Sequence, residues 1–178
     1  MMRTASIQRT TKETSISLAL SLDGQGQHGI ATGVPFLDHM LSHVAVHGLF
    51  DLTVQAGGDT AVDDHHTVED VGIVLGQALH QALGDAAGIR RYGDALVPMD
   101  EALALVAVDV SGRGVLAWDA EFPAERIGTF ASELVEEFLC ALVREGRLTI
   151  HVRVLAGRNA HHIAEAIFKA LRRALRQA

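Results

Sequence analysis

The pattern His-His-x-x-Glu occurs twice in the chain, at residues 65–69 and 161–165. If each copy lies on an α-helix, its first His and its Glu share a face, whereas the second His points about 100° away. One copy can therefore supply ligands to two metal ions, and two facing copies can complete two sites. This favours a fold that brings the two helices together. The alternative is chance clustering of the chain's 10 histidines on solvated helix faces, and the repetition makes it the weaker interpretation.

The elements around the two patterns are predicted to repeat in the order strands, helix, strand, helix. The first half is predicted to contain an extended hairpin over 5–27 with a turn at Asp23-Gly24, a helix from Pro35 to near Gly48, a strand over 50–54 and a helix from about Asp64 to Leu83. The second half is predicted to contain strands over 103–110 and 114–122, a helix over about 130–145, a strand over 148–154 and a last helix capped by Asn159.

The duplication predicts the architecture as well. The two patterns open the second helix of each half, and their first residues, His65 and His161, are 96 positions apart. Two related halves, about 1–90 and 91–178, are expected to form a single α+β domain with the helices packed on one side of the sheets. A chain of 178 residues, 48% of them hydrophobic, is long enough to bury a substantial core.

Charge and composition exclude several classes of protein. The net charge of −7 argues against a nucleic-acid-binding module, because phosphate binding needs a clustered basic face. The single cysteine, Cys140, lies in an apolar segment and indicates a disulfide-free protein of a reducing cytoplasm. No segment has the apolar length of a bilayer span or the pattern of a signal peptide, so we expect neither membrane insertion nor export.

Each predicted metal site needs further ligands, because Mn²⁺, Fe²⁺ and Co²⁺ commonly take six. His39 lies 26 residues before His65, and Glu137 lies 24 residues before His161, at the corresponding place in the second half. A carboxylate at that position suits a hard ion such as Mn²⁺. The assignment that we prefer gives one metal His39, His66, His161 and Glu165, and the other metal His65, Glu69, Glu137 and His162.

Other polar residues have less specific patterns. His43 and His47 follow His39 at intervals of four, where they could contact the substrate or support the ligands, although plain exposure is favoured for His43. Arg91 and Arg113 lie at loop positions where a guanidinium could clamp a phosphate, but either could equally be a surface charge. Lys169 and the arginines near it also suit the negative end of a helix dipole.

Several segments of the chain resemble imidazoleglycerol-phosphate dehydratase. The most specific are Phe-Leu-Asp-His-Met-Leu at 36–41, Asp-His-His-Thr-Val-Glu-Asp at 64–70 and Gly-Arg-Asn-Ala-His-His at 157–162. The resemblance also takes in residues 11–14, 47–52, 98–102, 111–113 and 168–170, and so spans nearly the whole chain.

The resemblance implies an α+β fold of the ribosomal protein S5 domain 2-like type and a lyase of histidine biosynthesis. Such an enzyme removes water from imidazole glycerol phosphate to give imidazole acetol phosphate, through an imidazolate bound by two Mn²⁺ ions. It also implies a cytoplasmic homo-oligomer of 24 subunits with active sites between subunits, a phosphorylated small molecule as substrate, and neither nucleic acid nor membrane as a partner.

The resemblance also implies roles for individual residues. Glu13 matches the family's N-terminal glutamate and is the expected proton shuttle. The expected catalytic residues are Glu13 and the two histidines His65 and His161. The positions that match the substrate pocket and the phosphate-binding residues are His47, Arg91, Arg113 and Lys169. One departure is Glu137, where many similar sequences carry His, so this ligand is the one most open to challenge.

Two other functions fit a two-metal motif taken by itself. A di-metal phosphate-ester hydrolase would activate water and release phosphate. A metal-storing assembly would take up metal without turnover. Glu13 and the basic positions favour the dehydratase, which is expected to keep the phosphate on its ketone product.

Overall fold

A computed structural model describes residues 2–178 of the chain, apart from the side chain of His47. The strands are β1 (Thr4–Thr10), β2 (Thr14–Ser21), β3 (His28–Ala31), β4 (Asp51–Gly58), β5 (Tyr92–Met99), β6 (Ala102–Asp109), β7 (Val115–Asp119), β8 (Arg126–Ile127), β9 (Phe130–Ala131) and β10 (Thr149–Ala156). The helices are α1 (Pro35–Gly48), α2 (His65–Leu83), α3 (Leu134–Gly146) and α4 (Ala160–Gln177).

The two halves have the same sheet topology, which confirms the predicted duplication of the fold. The first sheet has the strand order β1-β2-β4-β3 and the second has the order β5-β6-β10-β7. In each sheet one outer strand, β3 or β7, runs parallel to its neighbour, and the other pairs are antiparallel. A short hairpin of β8 and β9 is an addition to the second half.

Each sheet buries one face, because apolar residues alternate with polar ones along its strands. On β2, Ile16, Leu18 and Leu20 are buried, whereas Ser17 and Ala19 between them are exposed. On β10, Ile150 and Val152 are buried in the same way. Helix α2 packs on the first sheet and α4 on the second, so that one hydrophobic core lies between the sheets. The helices are therefore on one side of each sheet, as predicted.

The helices pack across the two halves, α1 with α4 and α2 with α3. The helices of each pair run in the same direction. In the α1–α4 pair, His39 contacts Glu165 near the helix starts, and further along both helices Arg172 donates to the carbonyl oxygen of His43.

In the α2–α3 pair, Gly72 faces Phe138 and Gly76 faces Leu142. The close approach depends on Gly72, where an added Cβ would lie 2.7 Å from the carbonyl oxygen of Phe138. All four helices begin at the same end of the core, but each copy of the pattern meets a different partner: the copy on α2 faces α3, and the copy on α4 faces α1. The prediction that the two patterned helices face each other is therefore wrong.

The boundaries of several elements differ from the sequence predictions. The first hairpin turns at residues 11–13, where the Thr11 hydroxyl accepts hydrogen bonds from the backbone N–H groups of Glu13 and Thr14, so the predicted turn at Asp23-Gly24 only ends β2. Strand β3 was missed because it is short. The first residues of the predicted third helix instead form β9, and α3 begins at Leu134.

Strand β5 was missed because it contains Gly93 and Pro98, which weaken a strand signal. It is an edge strand of its sheet, a position that tolerates proline because one side of the strand needs no ladder hydrogen bonds. Cys140 is partly exposed on α3 and not fully buried as we expected. Within residues 2–178, no helix combines the length and the apolar character needed to cross a bilayer.

Candidate metal centre

The starts of α1 and α4 bring together four side chains, which we call the α1–α4 cluster: His39, His43, His161 and Glu165. His39 Nε2 lies 2.9 Å from Glu165 Oε1, and His43 Nε2 lies 3.3 Å from His39 Nε2. His43 Nε2 and His161 Nε2 each lie 3.5 Å from the same carboxylate oxygen. His39, His43 and Glu165 each offer one ligand atom within 4.8 Å of the others, the spacing of ligands around a transition metal, and His161 approaches the same carboxylate oxygen.

Glu165 is the buried centre of this cluster, with 5% of its surface exposed. Burial by itself would raise the pKa of the Glu165 carboxyl, but hydrogen bonds from Lys169 and His39 outweigh it and lower that pKa to about 2. Lys169 Nζ lies 2.8 Å from Glu165 Oε2, on the side away from the histidines. Burial and the neighbouring His39 lower the pKa of His43, which keeps this imidazole neutral and able to act as a ligand.

The starts of α2 and α3 form a second group, the α2–α3 cluster, made of His65, Glu69 and Glu137. One possible ligand atom from each of these side chains lies within 4.8 Å of the others. His65 and Glu69 are one helical turn apart on α2, and Glu137 faces them from the first turn of α3. Arg144 of α3 contacts Glu69 at 3.4 Å. A polar groove of about 480 Å³, lined by residues that include His65, opens beside this cluster.

The second histidine of each pattern points away from both clusters and is held by a carboxylate. His66 Nδ1 lies 3.0 Å from Asp59, just after β4, and His162 Nδ1 lies 2.7 Å from Glu101, in the turn between β5 and β6. A carboxylate at Nδ1 favours the proton on that nitrogen and leaves the lone pair of Nε2 for a metal. The hydrogen bonds to Asp59 and Glu101 raise the pKa values of His66 and His162, respectively.

The structure thus brings together three of the four ligands predicted for each metal. His39, His161 and Glu165 meet in the α1–α4 cluster, and His65, Glu69 and Glu137 meet in the α2–α3 cluster. The missing fourth ligands, His66 and His162, remain with their own carboxylates in this single chain.

The predicted phosphate-binding residues are divided between the two ends of the second sheet. Lys169 lies beside the α1–α4 cluster, where it contacts Glu165, and it also contacts Met99 at the end of β5. Arg91 precedes the start of β5, and its guanidinium pairs with Asp109 at 2.8 Å. Arg113 lies 3.8 Å from the same Asp109. Because the eight residues of β5 span roughly 25 Å, one chain does not bring both arginines to its own lysine.

Glu13, the expected proton shuttle, lies exposed in the turn between β1 and β2 and is close enough to His66 to raise the pKa of that imidazole. Glu13 directly precedes β2 as Glu101 directly precedes β6, so the two glutamates occupy corresponding turns. The side chain of His47, predicted to line the substrate pocket, lies outside the described residues.

Sequence reasoning missed three residues of the site. His43 was expected to be simply exposed on its helix, yet it belongs to the α1–α4 cluster. Its spacing of four from His39 was the signal that could have identified it. Asp59 and Glu101 were given no role, because a contact between a loop carboxylate and a distant imidazole leaves no periodic signal in the sequence.

The donors of both clusters suit a divalent transition metal. Neutral imidazoles and ionised carboxylates are ligands of Mn²⁺, Fe²⁺, Co²⁺ and Zn²⁺, and separations of 2.9–3.5 Å between donor atoms fit a shared ion in the α1–α4 cluster. A pair of such sites can stabilise negative charge on a bound molecule.

Comparison with known proteins assigns the chain to one family. Residues 32–175 match the family model described as imidazoleglycerol-phosphate dehydratase. The chain is 62% identical over 178 residues to the imidazoleglycerol-phosphate dehydratase of Moorella thermoacetica, covering 100% of this chain and 91% of that protein. It is 61% identical over 176 residues to the enzyme of the same name from Desulforamulus reducens, covering 99% and 90% of the two sequences.

Solved structures agree with the sequence comparison. The crystal structure of imidazoleglycerol-phosphate dehydratase from Staphylococcus aureus superimposes with a TM-score of 0.90 and 45% identity, covering 98% of this chain and 97% of that one. A crystal structure of the Pyrococcus furiosus protein gives a TM-score of 0.85 and 41% identity, covering 97% and 92%. The similarity of the fold therefore extends over nearly the whole chain.

Proposed function

The chain belongs to the imidazoleglycerol-phosphate dehydratase family of histidine biosynthesis, and we propose that it dehydrates imidazole glycerol phosphate with two Mn²⁺ ions per active site. The observation that carries the proposal is the pair of clusters, each with three of the four predicted ligands of one metal. Residues 1–178 would act as one catalytic domain, because both clusters draw ligands from both halves of the chain.

The active sites lie between copies of the chain in this proposal. His66 and His162 are held away from the clusters of their own chain by carboxylates at Nδ1, and of their Nε2 atoms that of His162 also lies 3.5 Å from the exposed Asp100. A metal would take the place of that long contact. Each of the two histidines would complete a cluster of a neighbouring copy. The same arrangement would bring Arg91 and Arg113 of one copy to Lys169 of another, because one chain keeps them apart. A closed assembly of 24 subunits satisfies all copies equally.

The ligand residues would hold the substrate's imidazole ring between the two sites. Two Mn²⁺ ions, when bound, would supply positive charge that stabilises negative charge developing on this ring as water is lost. Lys169, Arg91 and Arg113 would bind the phosphate group by charge-assisted hydrogen bonds, which fixes the orientation of the carbon chain. His47 is expected to line the same pocket.

Glu13 would move the protons in the dehydration. A carboxylate can accept the proton from the carbon atom and donate one to the departing hydroxyl group, so that water leaves and the phosphate is retained. The exposed position of Glu13 in the β1–β2 turn, near His66, supports this role, because His66 would be inserted into a metal site of a neighbouring copy. We place the reaction in the cytoplasm, as the single cysteine led us to expect.

The assay that tests the proposal follows the Mn²⁺-loaded assembly with imidazole glycerol phosphate. We expect the absorbance of the enolisable ketone imidazole acetol phosphate to appear without free phosphate. Glu13→Gln is the matched control, because it should keep the full metal content while the rate falls about 100-fold or more. Phosphate release would instead identify a di-metal phosphate-ester hydrolase, and metal uptake without any product would refute a catalytic role.

A further inference from the structure

The two clusters occupy corresponding places in the duplicated fold but differ in their chemistry. The α1–α4 cluster places two imidazoles and one carboxylate at ligand spacing, with a third imidazole, His161, 3.5 Å from that carboxylate, whereas the α2–α3 cluster offers one imidazole and two carboxylates. The difference comes from two positions. His39 of α1 corresponds to Glu137 of α3, and His43, one turn later, corresponds to Ala141.

His43 is placed to act as a ligand. Its Nε2 lies 3.3 Å from Nε2 of His39 and 3.5 Å from Oε1 of Glu165. Two histidines separated by four residues on a helix point their rings to the same side and can bind one metal together. Because the two Nε2 atoms are so close, an ion bound by His39 is also within reach of His43. The His43 side chain is 23% exposed and therefore accessible to an ion.

The charges of the clusters differ as well. In the α1–α4 cluster the single carboxylate, Glu165, is neutralised by Lys169 at 2.8 Å. The α2–α3 cluster holds two carboxylates, Glu69 and Glu137. Arg144, the cation that contacts Glu69, also pairs with Glu145 and is 55% exposed, so its charge is screened by water. One cluster is close to neutral before a metal binds, and the other keeps a net negative charge.

We propose that the two metal sites have unequal selectivity: the imidazole-rich α1–α4 site prefers Zn²⁺-like ions, and the carboxylate-rich α2–α3 site retains Mn²⁺-like ions. Imidazole ligands favour ions late in the Irving–Williams order, whereas carboxylates favour hard ions such as Mn²⁺ and Mg²⁺. The inference rests on the proposed two-metal function. One additional imidazole from a neighbouring copy at each site would leave the difference between the sites unchanged.

Displacement of Mn²⁺ by Zn²⁺ tests this inference. The assembled full-length protein is loaded with two Mn²⁺ per chain, Zn²⁺ is added in steps, and released Mn²⁺ is followed by its electron paramagnetic resonance signal in solution. We expect two phases of equal amplitude whose midpoints differ at least about tenfold in Zn²⁺ concentration. A single phase in the unmodified protein would overturn the inference.

Variants at the two positions assign the phases. Glu137→His should make the second phase of Mn²⁺ release occur at lower Zn²⁺ concentration, so that the release curve comes close to a single phase. Glu137→Gln removes the negative charge with little change in side-chain shape and so tests the contribution of that charge. His43→Ala should move the first phase to higher Zn²⁺ concentration. His80→Ala is the matched control, because His80 is exposed near the end of α2, and it should leave both phases unchanged. Unaltered midpoints in both His43→Ala and Glu137→His would contradict the assignment.

The loading step separates this inference from the proposed function. If the protein binds fewer than two Mn²⁺ per chain and forms no ketone product, the proposed function fails, and the inference fails with it. If two Mn²⁺ bind and the ketone forms, but Zn²⁺ displaces both ions in one phase, only the inference of unequal sites is refuted. Sizing of each variant shows whether the assembly is intact.

Discussion

The two His-His-x-x-Glu patterns are supported differently in the two halves of the molecule. In the second half, Asn159 caps α4 by accepting hydrogen bonds from the backbone N–H groups of His161 and His162, and Glu101 holds the His162 ring. Glu101 is itself fixed by backbone N–H groups of residues 158 and 159.

In the first half, the support comes from separate groups. Asp63 accepts a hydrogen bond from the backbone N–H of His65. Asp59 holds His66, but among the described residues its carboxylate accepts no hydrogen bond from the backbone, and only its carbonyl oxygen does, from Val62. The duplication has therefore kept the ligand positions while the residues that hold them have diverged. The comparison teaches that the proposed ligand positions have been kept, whereas the residues that support them follow the local backbone of each half.

The largest expected effect comes from removing one ligand of each cluster. His65→Ala should empty the α2–α3 site and His161→Ala the α1–α4 site, and each should lower kcat about 1000-fold, because each metal stabilises transition-state charge by several kcal/mol. Metal analysis should find about one Mn²⁺ per chain in either variant. Full metal content with full activity in His65→Ala would show that this residue is not a ligand.

A smaller effect is expected from the carboxylates that hold the second histidines. Glu101→Gln should weaken Mn²⁺ binding about 10- to 100-fold, because the amide no longer fixes the His162 tautomer. Asp59→Asn should act in the same direction but less, since Asp59 is not tied to the backbone as Glu101 is. Titration of each variant with Mn²⁺ measures both effects. Equal losses would break the contrast between the two halves.

The helix pairs can be separated by a substitution in α2. Gly72→Ala would place a Cβ 2.7 Å from the carbonyl oxygen of Phe138 and should push α2 and α3 apart, at a cost of about 1–3 kcal/mol in unfolding free energy. We expect loss of metal from the α2–α3 cluster, whereas the α1–α4 cluster keeps its ion. Denaturant unfolding and metal analysis give the two readouts. Ala141→Gly in the same variant should recover part of the loss, since the Ala141 Cβ is another close contact.

The smallest effect is expected at an arginine–aspartate ion pair that has a counterpart in each half. In the first half, Arg3, just before β1, pairs with Asp23, just after β2. In the second half, Arg91, just before β5, pairs with Asp109 at the end of β6. The hydrogen bond from the Arg3 guanidinium lowers the pKa of Asp23 to about 2. A lowered pKa gives stability that is present above the unfolded value of about 4 and is lost as pH falls towards 2.

Asp23→Asn should therefore lower Tm slightly at pH 7, by at most about 2 °C because the pair is exposed. It should also remove part of the decline in Tm between pH 4 and pH 2 that the unmodified protein shows. Thermal unfolding at a series of pH values measures both. An unchanged decline would mean that other carboxylates account for the acid sensitivity.

Most of the fold was predictable from local patterns. Alternation along β2 and β10 identified buried strands, and Pro35 and Asn159 marked the starts of α1 and α4. Strand β5 was not predictable, because Pro98 and Gly93 are tolerated only at a sheet edge, and the position of a strand in its sheet is a tertiary property. The first turn was misplaced because the Thr11 side chain makes a turn without glycine.

The sequence by itself determined the ligand types and their spacing. A helix fixes the relative directions of residues four apart, so the pairs His65 with Glu69 and His161 with Glu165 followed from local geometry alone. The duplication then indicated His39 and Glu137 as further ligands. These inferences needed only the helical period and the repeat.

Only the tertiary structure decided which helices meet and what surrounds the ligands. The parallel packing of α1 with α4 and of α2 with α3 depends on side-chain shape and on close approach at Gly72, neither of which has a periodic signal. The same packing brings His43 to Glu165, and Asp59 and Glu101 to the second histidines. Contacts between residues distant in sequence arise from packing of the whole core, so no local pattern can specify them.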